Sequence, residues 1–188
     1  WLTGVSSAGL ALAATGAATA TSTPAHAARV ATKARIAIAG SGLAGLALAH
    51  RLTKLLDGAK VTVIDAKEEH NYQPGYTLVA TGVWPVGKVV DRNADLMPAG
   101  VEWVKDMVAE FDPAANAVVT AGGQRFAYDY LIVAVGTHQD WAQIEGMDVS
   151  AIGQNGLTSV YPSASAAVAT WAAMDAFCKK GGKAVMTL

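Results

Sequence analysis

Apolar and alternating segments divide the chain beyond residue 34 into predicted strands and helices. Three apolar runs, at 35–39, 60–64 and 130–136, have the length and composition of buried parallel strands. An Ala- and Leu-rich helical pattern follows the first run as far as Leu56, and another occupies 163–180. Strands that alternate with helices in this way predict an α/β fold with a parallel sheet.

Shorter strand-like segments lie between the second and the third apolar runs. Their patterns predict two short strands and a hairpin around a glycine turn, at 101–104, 107–112, 118–120 and 125–128. We expect a Rossmann-like domain at 28–160, with this β-meander inserted before its last parallel strand. The helix at the end of the chain is expected to cross over to a strand at 183–188, so that residues 161–188 open a second nucleotide-binding-like domain.

The first 27 residues differ in composition from the rest. No Asp, Glu, Lys or Arg precedes Arg29, and Ala25 and Ala27 form the small-residue pattern that signal peptidase accepts. The mildly apolar tract before them resembles a twin-arginine leader whose arginine pair lies upstream of Trp1. We therefore expect an export signal at 1–27 and a periplasmic protein. Ordinary secretion, a disordered tail and a membrane anchor are the alternatives.

The two ends of the sequence indicate a fragment of a longer protein. The chain opens on Trp1 rather than Met, and it closes on an apolar, β-prone run at 184–188. A natural C-terminus rarely falls inside a strand. Further sequence is therefore expected beyond both ends.

Composition and cysteine count exclude several classes of site. A net charge of −1 offers no basic surplus for nucleic acid. With a single cysteine and no ligand spacing among the four histidines, neither a metal site nor an internal disulfide is expected. Cys178 shares one helical stripe with three apolar residues, which predicts a buried and unreactive core thiol; these are Val168, Trp171 and Met174.

A glycine-rich turn joins the first predicted strand to its helix. Its six residues form a G-x-G-x-x-G pattern: Gly40, Ser41, Gly42, Leu43, Ala44 and Gly45. Gly40 permits the tight turn, Gly42 lets the backbone approach a pyrophosphate, and Gly45 lets the helix sit close on the strand. The N-terminus of the helix then presents partial positive charge to the phosphates.

An acidic residue completes this pattern. Asp65 follows the second predicted strand, 20 residues after Gly45, where it is placed to hold ribose hydroxyls. Glycine-rich turns are common, and an Asp can simply end a strand, so the context of strand, turn, helix and strand carries the prediction. The pattern predicts a dinucleotide, and it does not separate FAD from NAD.

Three further segments give the chain a family resemblance. Residues 128–136 (YDYLIVAVG) resemble the second FAD signature of flavoproteins with two dinucleotide-binding domains. Residues 71–79 (NYQPGYTLV) and 153–161 (GQNGLTSVY) are similar to segments of sulfide:quinone oxidoreductases, and the Gln-Pro-Gly-Tyr run is the most diagnostic of them. The chain thus resembles the FAD-binding front half of that family over nearly all of 34–188.

The resemblance implies a set of residues around FAD. Residues 41–44 would contact the pyrophosphate within the 40–45 turn, with Asp65 and the adjacent Ala66 at the ribose. The remaining positions implied are Gln73 near the cofactor, the Val108 backbone at adenine, and Ala134 and Gly136 closing over FAD. Related flavocytochrome c sulfide dehydrogenases bind FAD covalently through a cysteine in the tyrosine-rich loop. The loop at 72–76 has none, so non-covalent FAD is expected here.

The activity that the resemblance implies is oxidation of sulfide, with electrons passed through FAD to a membrane quinone. No catalytic residue is assigned within the chain, because the redox cysteines are expected beyond Leu188, and the isolated chain is expected to be inactive. Peripheral membrane association is expected through a C-terminal region outside this sequence, and a cytochrome c is a possible partner. The alternatives are a type II NADH dehydrogenase, the flavoprotein subunit of a flavocytochrome c sulfide dehydrogenase, and a flavin-binding redox module without turnover.

Overall fold

The computed structural model describes residues 28–186, so the predicted export leader at 1–27 lies outside the described residues. The strands are β1 Val30–Ala31, β2 Arg35–Ala39, β3 Leu56–Asp57, β4 Lys60–Ile64, β5 Glu69–Asn71, β6 Val90–Arg92, β7 Val101–Val104, β8 Val108–Asp112, β9 Ala117–Thr120, β10 Arg125–Ala127 and β11 Tyr130–Val133. The α-helices are α1 Leu43–Leu55, α2 Tyr76–Ala80, α3 Asn93–Leu96 and α4 Ala164–Lys180.

A four-stranded parallel sheet lies at the centre, in the order β11-β2-β4-β7. Because side chains alternate across a strand, β2 and β4 bury apolar residues on both faces. On one face Ile36, Ile38, Val61 and Val63 pack with Ala49 of α1. The predicted α/β fold with a parallel sheet is confirmed.

The opposite face of this sheet carries the β-meander. Strands β8, β9 and β10 form an antiparallel sheet. Its Val118 packs with Tyr128 against Ala37 and Ile64, which alternate with the residues facing α1. The meander that the sequence predicted before the last parallel strand is therefore present, and it forms the second covering layer of the central sheet.

A smaller cluster joins the Gln-Pro-Gly-Tyr segment to the last helix. Tyr76, Val79 and Ala80 of α2 pack with Val89 and with Ala167 of α4. The sequence predicted neither α2 and α3 nor the paired strands β5 and β6. These elements span only three to five residues each, which is too short for a periodic pattern to distinguish them.

Helix α4 begins as predicted but buries a different face. The Ser163 side chain caps it by accepting from the amide of Ala166. Its buried residues are the small Ala167 and Thr170, because α4 packs closely on α2. The predicted buried stripe is wrong: Cys178 is exposed, and so are Val168, Trp171 and Met174.

The strand predicted at 183–188 is not formed in the described part of that segment. Residues 181–186 have no regular structure, and 187 and 188 lie outside the described residues. A strand is stable only beside a hydrogen-bonded neighbour, and residues 28–186 place none there. The division into domains at residue 160 stays a prediction.

None of the helices within 28–186 has the length and apolar character needed to cross a bilayer.

Candidate functional site

The glycine-rich turn lies where the carboxyl ends of β2 and β11 meet. Gly40 follows β2, donates its amide to the carbonyl oxygen of Ile64 at 2.9 Å, and has a φ of +104° that favours glycine. A Cβ at Gly40 would overlap the carbonyl group of Ala134. The turn is thus pressed against the end of β11, and Gly40 is required by the fold.

Gly45 and Gly42 have opposite surroundings. A Cβ at Gly45 would overlap the carbonyl oxygen of Gly40, so the absence of a side chain lets α1 pack on the turn. A Cβ at Gly42 would meet no atom within 4 Å, and its φ of −69° suits any residue. Nothing within the described fold requires glycine at position 42. The open space beside it is available to a ligand.

The N-terminus of α1 is open to solvent beside this space. Gly42, Leu43 and Ala44 are exposed, no side chain caps the helix, and its first turn contains no acidic residue. The amides of a first helical turn have no intrahelical partner and carry partial positive charge. Free donors, positive potential and an open backbone approach together suit the pyrophosphate of a dinucleotide.

The order of the strands places this turn at a topological switch point. From β2 the chain crosses through α1 to β4 on one side, while β11 lies on the other side of β2. In open α/β sheets, ligands bind at the carboxyl ends of the strands where the order reverses in this way. Ala134 extends the pairing by donating to Ala39 O at 2.8 Å. Gly136, exposed with a φ of +78°, follows at the same edge.

Asp65 lies beside the glycine turn and is bound to it. Its Oδ2 accepts from the amide and the hydroxyl of Ser41, at 2.7 and 2.9 Å. Its Oδ1 accepts from the amide of Lys67 at 2.9 Å. The sequence placed Asp65 near the cofactor but did not indicate this link to Ser41. Contact of Asp65, and of the exposed Ala66, with a ribose stays a prediction.

Ser41 is bound to Asp65, and its predicted contact with the pyrophosphate stays a prediction. It is 1% exposed, and its amide and its hydroxyl hydrogen are both donated to Asp65. Both donors of Ser41 are therefore used inside the protein. The exposed donors of the first turn of α1 remain for a pyrophosphate.

Sequence reasoning missed Asn93, which is also 1% exposed. Its Nδ2 donates to Ser41 Oγ and to Lys67 O, each at 2.8 Å, and its amide donates to Glu68 O at 2.8 Å. It begins the four-residue helix α3, which no periodic pattern marks. An asparagine after a short strand carries no signal of burial, so only the tertiary structure identifies it.

Val108 opens β8 on the covering sheet. It is half-buried and packs against the cluster that includes Ile64, the last residue of β4. The pairing with β9 shifts register between Val108 and Glu110, and such a bulge redirects the local backbone. A backbone contact from Val108 to adenine stays a prediction.

The Gln-Pro-Gly-Tyr segment is a short 3-10 turn followed by α2. A Cβ at Gly75 would lie 2.6 Å from Val89 Cγ1, so this glycine permits close packing. Tyr76 is buried, donates its hydroxyl to Asn71 Oδ1 at 2.8 Å, and has a pKa raised by that burial. Gln73 is exposed. Gly75 and Tyr76 thus pack inside the segment, and a contact of the exposed Gln73 with the cofactor stays a prediction.

Comparisons with known proteins identify the family to which the chain is similar. The family model described as pyridine nucleotide-disulphide oxidoreductase matches residues 34–175. The mitochondrial sulfide:quinone oxidoreductase of Dictyostelium discoideum is 36% identical over 68% of this chain and 28% of its own length. That of Mus musculus is 32% identical over 81% of this chain and 33% of its own length.

A solved structure shares the fold. The sulfide:quinone oxidoreductase of Aquifex aeolicus matches with a TM-score of 0.60 and 23% identity, over 79% of this chain and 33% of that chain. The chain therefore spans about a third or less of the length of these three relatives.

Proposed function

The chain belongs to the pyridine nucleotide-disulphide oxidoreductase family, and we propose that the whole protein is an FAD-dependent enzyme that oxidises sulfide and passes the electrons to a quinone. FAD is the cofactor of the site. The observation that carries the proposal is that both curated relatives described above are named sulfide:quinone oxidoreductase.

The described residues supply the binding half of this chemistry. When bound, FAD accepts a pair of electrons from one substrate and returns them to another. The α1 N-terminus would hold the pyrophosphate, with the open space at Gly42 allowing its approach and Asp65 at the ribose. The end of β11, at Ala134 and Gly136, would close the site at the edge of the sheet.

The sulfur chemistry is proposed to use residues outside these 188. In this mechanism hydrosulfide attacks one sulfur of a protein disulfide, which leaves a persulfide on that cysteine and releases the other cysteine as a thiolate. A second hydrosulfide would take the outer sulfur of the persulfide, and the two thiolates would then re-form the disulfide as they pass the electron pair to bound FAD. A disulfide needs two cysteines, and the sequence has only Cys178. No residue of this chain is therefore proposed as catalytic.

Anaerobic titration of the whole protein tests the substrate. We expect sulfide to bleach the flavin absorbance and a soluble quinone to restore it, while NADH leaves it oxidised. Bleaching by NADH and not by sulfide would indicate a type II NADH dehydrogenase. No bleaching by either donor would support a binding module without turnover.

The electron acceptor is tested by reoxidation of the sulfide-reduced protein. We expect a quinone analogue to restore the flavin absorbance faster than cytochrome c does, and we expect the protein to co-sediment with membranes. A preference for cytochrome c would favour the flavoprotein subunit of a flavocytochrome c sulfide dehydrogenase.

We also propose that the protein is exported, by the twin-arginine route, to the periplasm. The support is the pattern of small residues at Ala25 and Ala27 after an uncharged tract. N-terminal sequencing of protein from the periplasmic fraction should begin at Ala28. Exported protein that retains residues 1–27 would contradict the proposed cleavage.

A further inference from the structure

Asn93 and Ser41 form a buried hydrogen-bonded pair against the glycine turn, each with 1% of its surface exposed. Asn93 Nδ2 donates to Ser41 Oγ and to Lys67 O, both at 2.8 Å. A carbonyl oxygen only accepts, so the contact with Lys67 sets the orientation of the Asn93 amide. Ser41 Oγ therefore receives a hydrogen bond from Asn93 and directs its own hydrogen to Asp65.

Ser41 and Lys67 together use most of the acceptor capacity of the Asp65 carboxylate. Oδ2 accepts from both donors of Ser41, at 2.7 and 2.9 Å, and Oδ1 accepts from the Lys67 amide at 2.9 Å. A carboxylate oxygen has about two acceptor positions. Oδ2 is therefore saturated, and Oδ1 retains a single position.

The main chain around Asp65 is held as well. Its amide donates to Val104 O at 3.1 Å, and its carbonyl oxygen accepts from Trp103 Nε1 at 3.0 Å. The backbone is thus tied to β7, and a ligand meets the carboxylate in the orientation that Ser41 and Lys67 give it.

We propose that Asn93 is a positioning residue of the cofactor site. By holding the Ser41 hydroxyl in place, Asn93 keeps both acceptor positions of Asp65 Oδ2 occupied. Asp65 therefore binds only one of the two hydroxyls of the adenosine ribose, and it does so through Oδ1. This inference rests on the proposed placement of FAD at the 40–45 turn. It is independent of the substrate that the flavin oxidises.

Binding of FAD analogues to the whole apoprotein tests the single contact. Flavin fluorescence is titrated with FAD and with two analogues whose adenosine lacks the 2′- or the 3′-hydroxyl. For the wild type we expect one analogue to bind about tenfold or more weakly than FAD and the other within about threefold. Equal losses for the two analogues would mean that Asp65 binds both hydroxyls, and would overturn the proposal.

Two substitutions test the part played by Asn93. Asn93→Asp keeps the shape and removes both donors, and Ser41→Ala frees one position on Asp65 Oδ2. Each should bring the two analogues to within about threefold of each other, because the freed position on Asp65 Oδ2 can accept the second ribose hydroxyl. Because both substitutions act through the Ser41 hydroxyl, the double variant should show the same ratio of analogue affinities as either single variant.

Thr170→Val is the matched control for a purely structural effect. Thr170 lies on α4, is 5% exposed and donates its hydroxyl to Ser159 O at 3.1 Å. Its loss should lower the melting temperature and leave FAD affinity and the analogue preference unchanged. If Asn93→Asp behaves like this control, Asn93 is structural only and the proposal fails. If Asn93→Asp does not fold, the analogue preference of Ser41→Ala decides the question.

A separate variant tests the placement of FAD, so that a wrong placement of FAD can be distinguished from a wrong role for Asn93. Unchanged FAD binding in Gly42→Val would overturn the placement at the 40–45 turn. Loss of binding in Gly42→Val, with an unchanged analogue preference in Asn93→Asp and Ser41→Ala, would overturn the role of Asn93 alone.

Discussion

At Gly45 the backbone of α1 presses on the turn that precedes it, whereas Gly42 faces open space. The same residue type therefore answers two different requirements within one motif. Gly45 serves the packing of helix on strand, and any added side chain there must displace the Gly40 carbonyl. No described protein atom requires glycine at position 42, which leaves room for the proposed approach of the cofactor.

Gly42→Val should abolish FAD binding while the protein remains folded, because the side chain occupies the space through which a phosphate approaches the backbone. Replacing glycine at a helix N-cap costs about 1 kcal/mol of stability or less. FAD retention after gel filtration and the circular dichroism spectrum measure the two effects. Gly87→Val is the matched control, since Gly87 also has nothing within 4 Å of a Cβ. FAD retained in Gly42→Val would contradict the prediction.

At the scale of elements, an ion pair joins the start of β2 to the residue before β11. Arg35 Nη2 lies 2.7 Å from Asp129 Oδ1, and the Arg35 amide donates to Asp129 Oδ2 at 2.7 Å. The hydrogen bonds from Arg35 lower the pKa of the Asp129 carboxyl from 3.8 to about 2. The pair holds together, at their amino ends, two strands whose carboxyl ends meet at the glycine turn.

The depressed pKa of Asp129 predicts a pH-dependent contribution to stability. A carboxyl with a lowered pKa in the folded state stabilises the fold above its ordinary pKa of 3.8, and this contribution is lost as the pH falls toward about 2. Asp129→Asn should therefore melt at a slightly lower temperature than the wild type near neutral pH. The difference should disappear in acid.

Thermal melts of both proteins across this pH range measure the effect of Asp129→Asn. The pair is half-exposed, so the effect is small. Glu145→Gln, which removes another exposed carboxylate, is the control for the loss of one negative charge. A difference in melting temperature between Asp129→Asn and the wild type that grows as the pH falls would contradict the prediction.

At the scale of the whole molecule, α4 carries an exposed apolar stripe with Cys178 at its end. The helix docks on α2 through Ala167 and Thr170, so its larger side chains stay at the surface of the described residues. The Cys178 thiol lies near the C-terminal end of α4, the helix that packs on α2. It belongs neither to the core nor to the residues around the glycine turn.

Cys178→Ser should leave both stability and sulfide-dependent quinone reduction of the whole protein close to wild type. An exposed thiol loses little packing on conversion to a hydroxyl, and a single cysteine cannot form the disulfide that the proposed chemistry needs. The melting temperature and the turnover rate of the FAD-loaded protein provide the two measurements. Loss of turnover with FAD still bound would make Cys178 catalytic.

The loop at 72–76 contains no cysteine, which predicts that FAD is released on unfolding. Acid precipitation of the whole protein should leave a yellow supernatant and a colourless pellet, and absorbance of the two fractions measures the partition. A flavin that stays with the pellet would indicate a covalent bond at another residue.

Local pattern accounts for much of this molecule. The bounds of β2 and β4 agree with the apolar runs, since a strand buried on both faces needs a continuous apolar segment. Gly40, Gly45 and Asp65 were recognisable because a tight turn, a close helix and an acid after the second strand have fixed spacings. The order of strands, helix and meander followed from the same signals.

The bonds between distant segments depended on the tertiary structure. Asn93 reaches Ser41 across 52 residues, and no local period records such a contact. The stripe of α4 gave the wrong burial for Cys178 because periodicity identifies an apolar face but not the surface that covers it. The spacing of Asp65 from the glycine turn was likewise visible in the sequence, while the hydrogen bonds that orient its carboxylate exist only once β2, β4 and α3 are brought together.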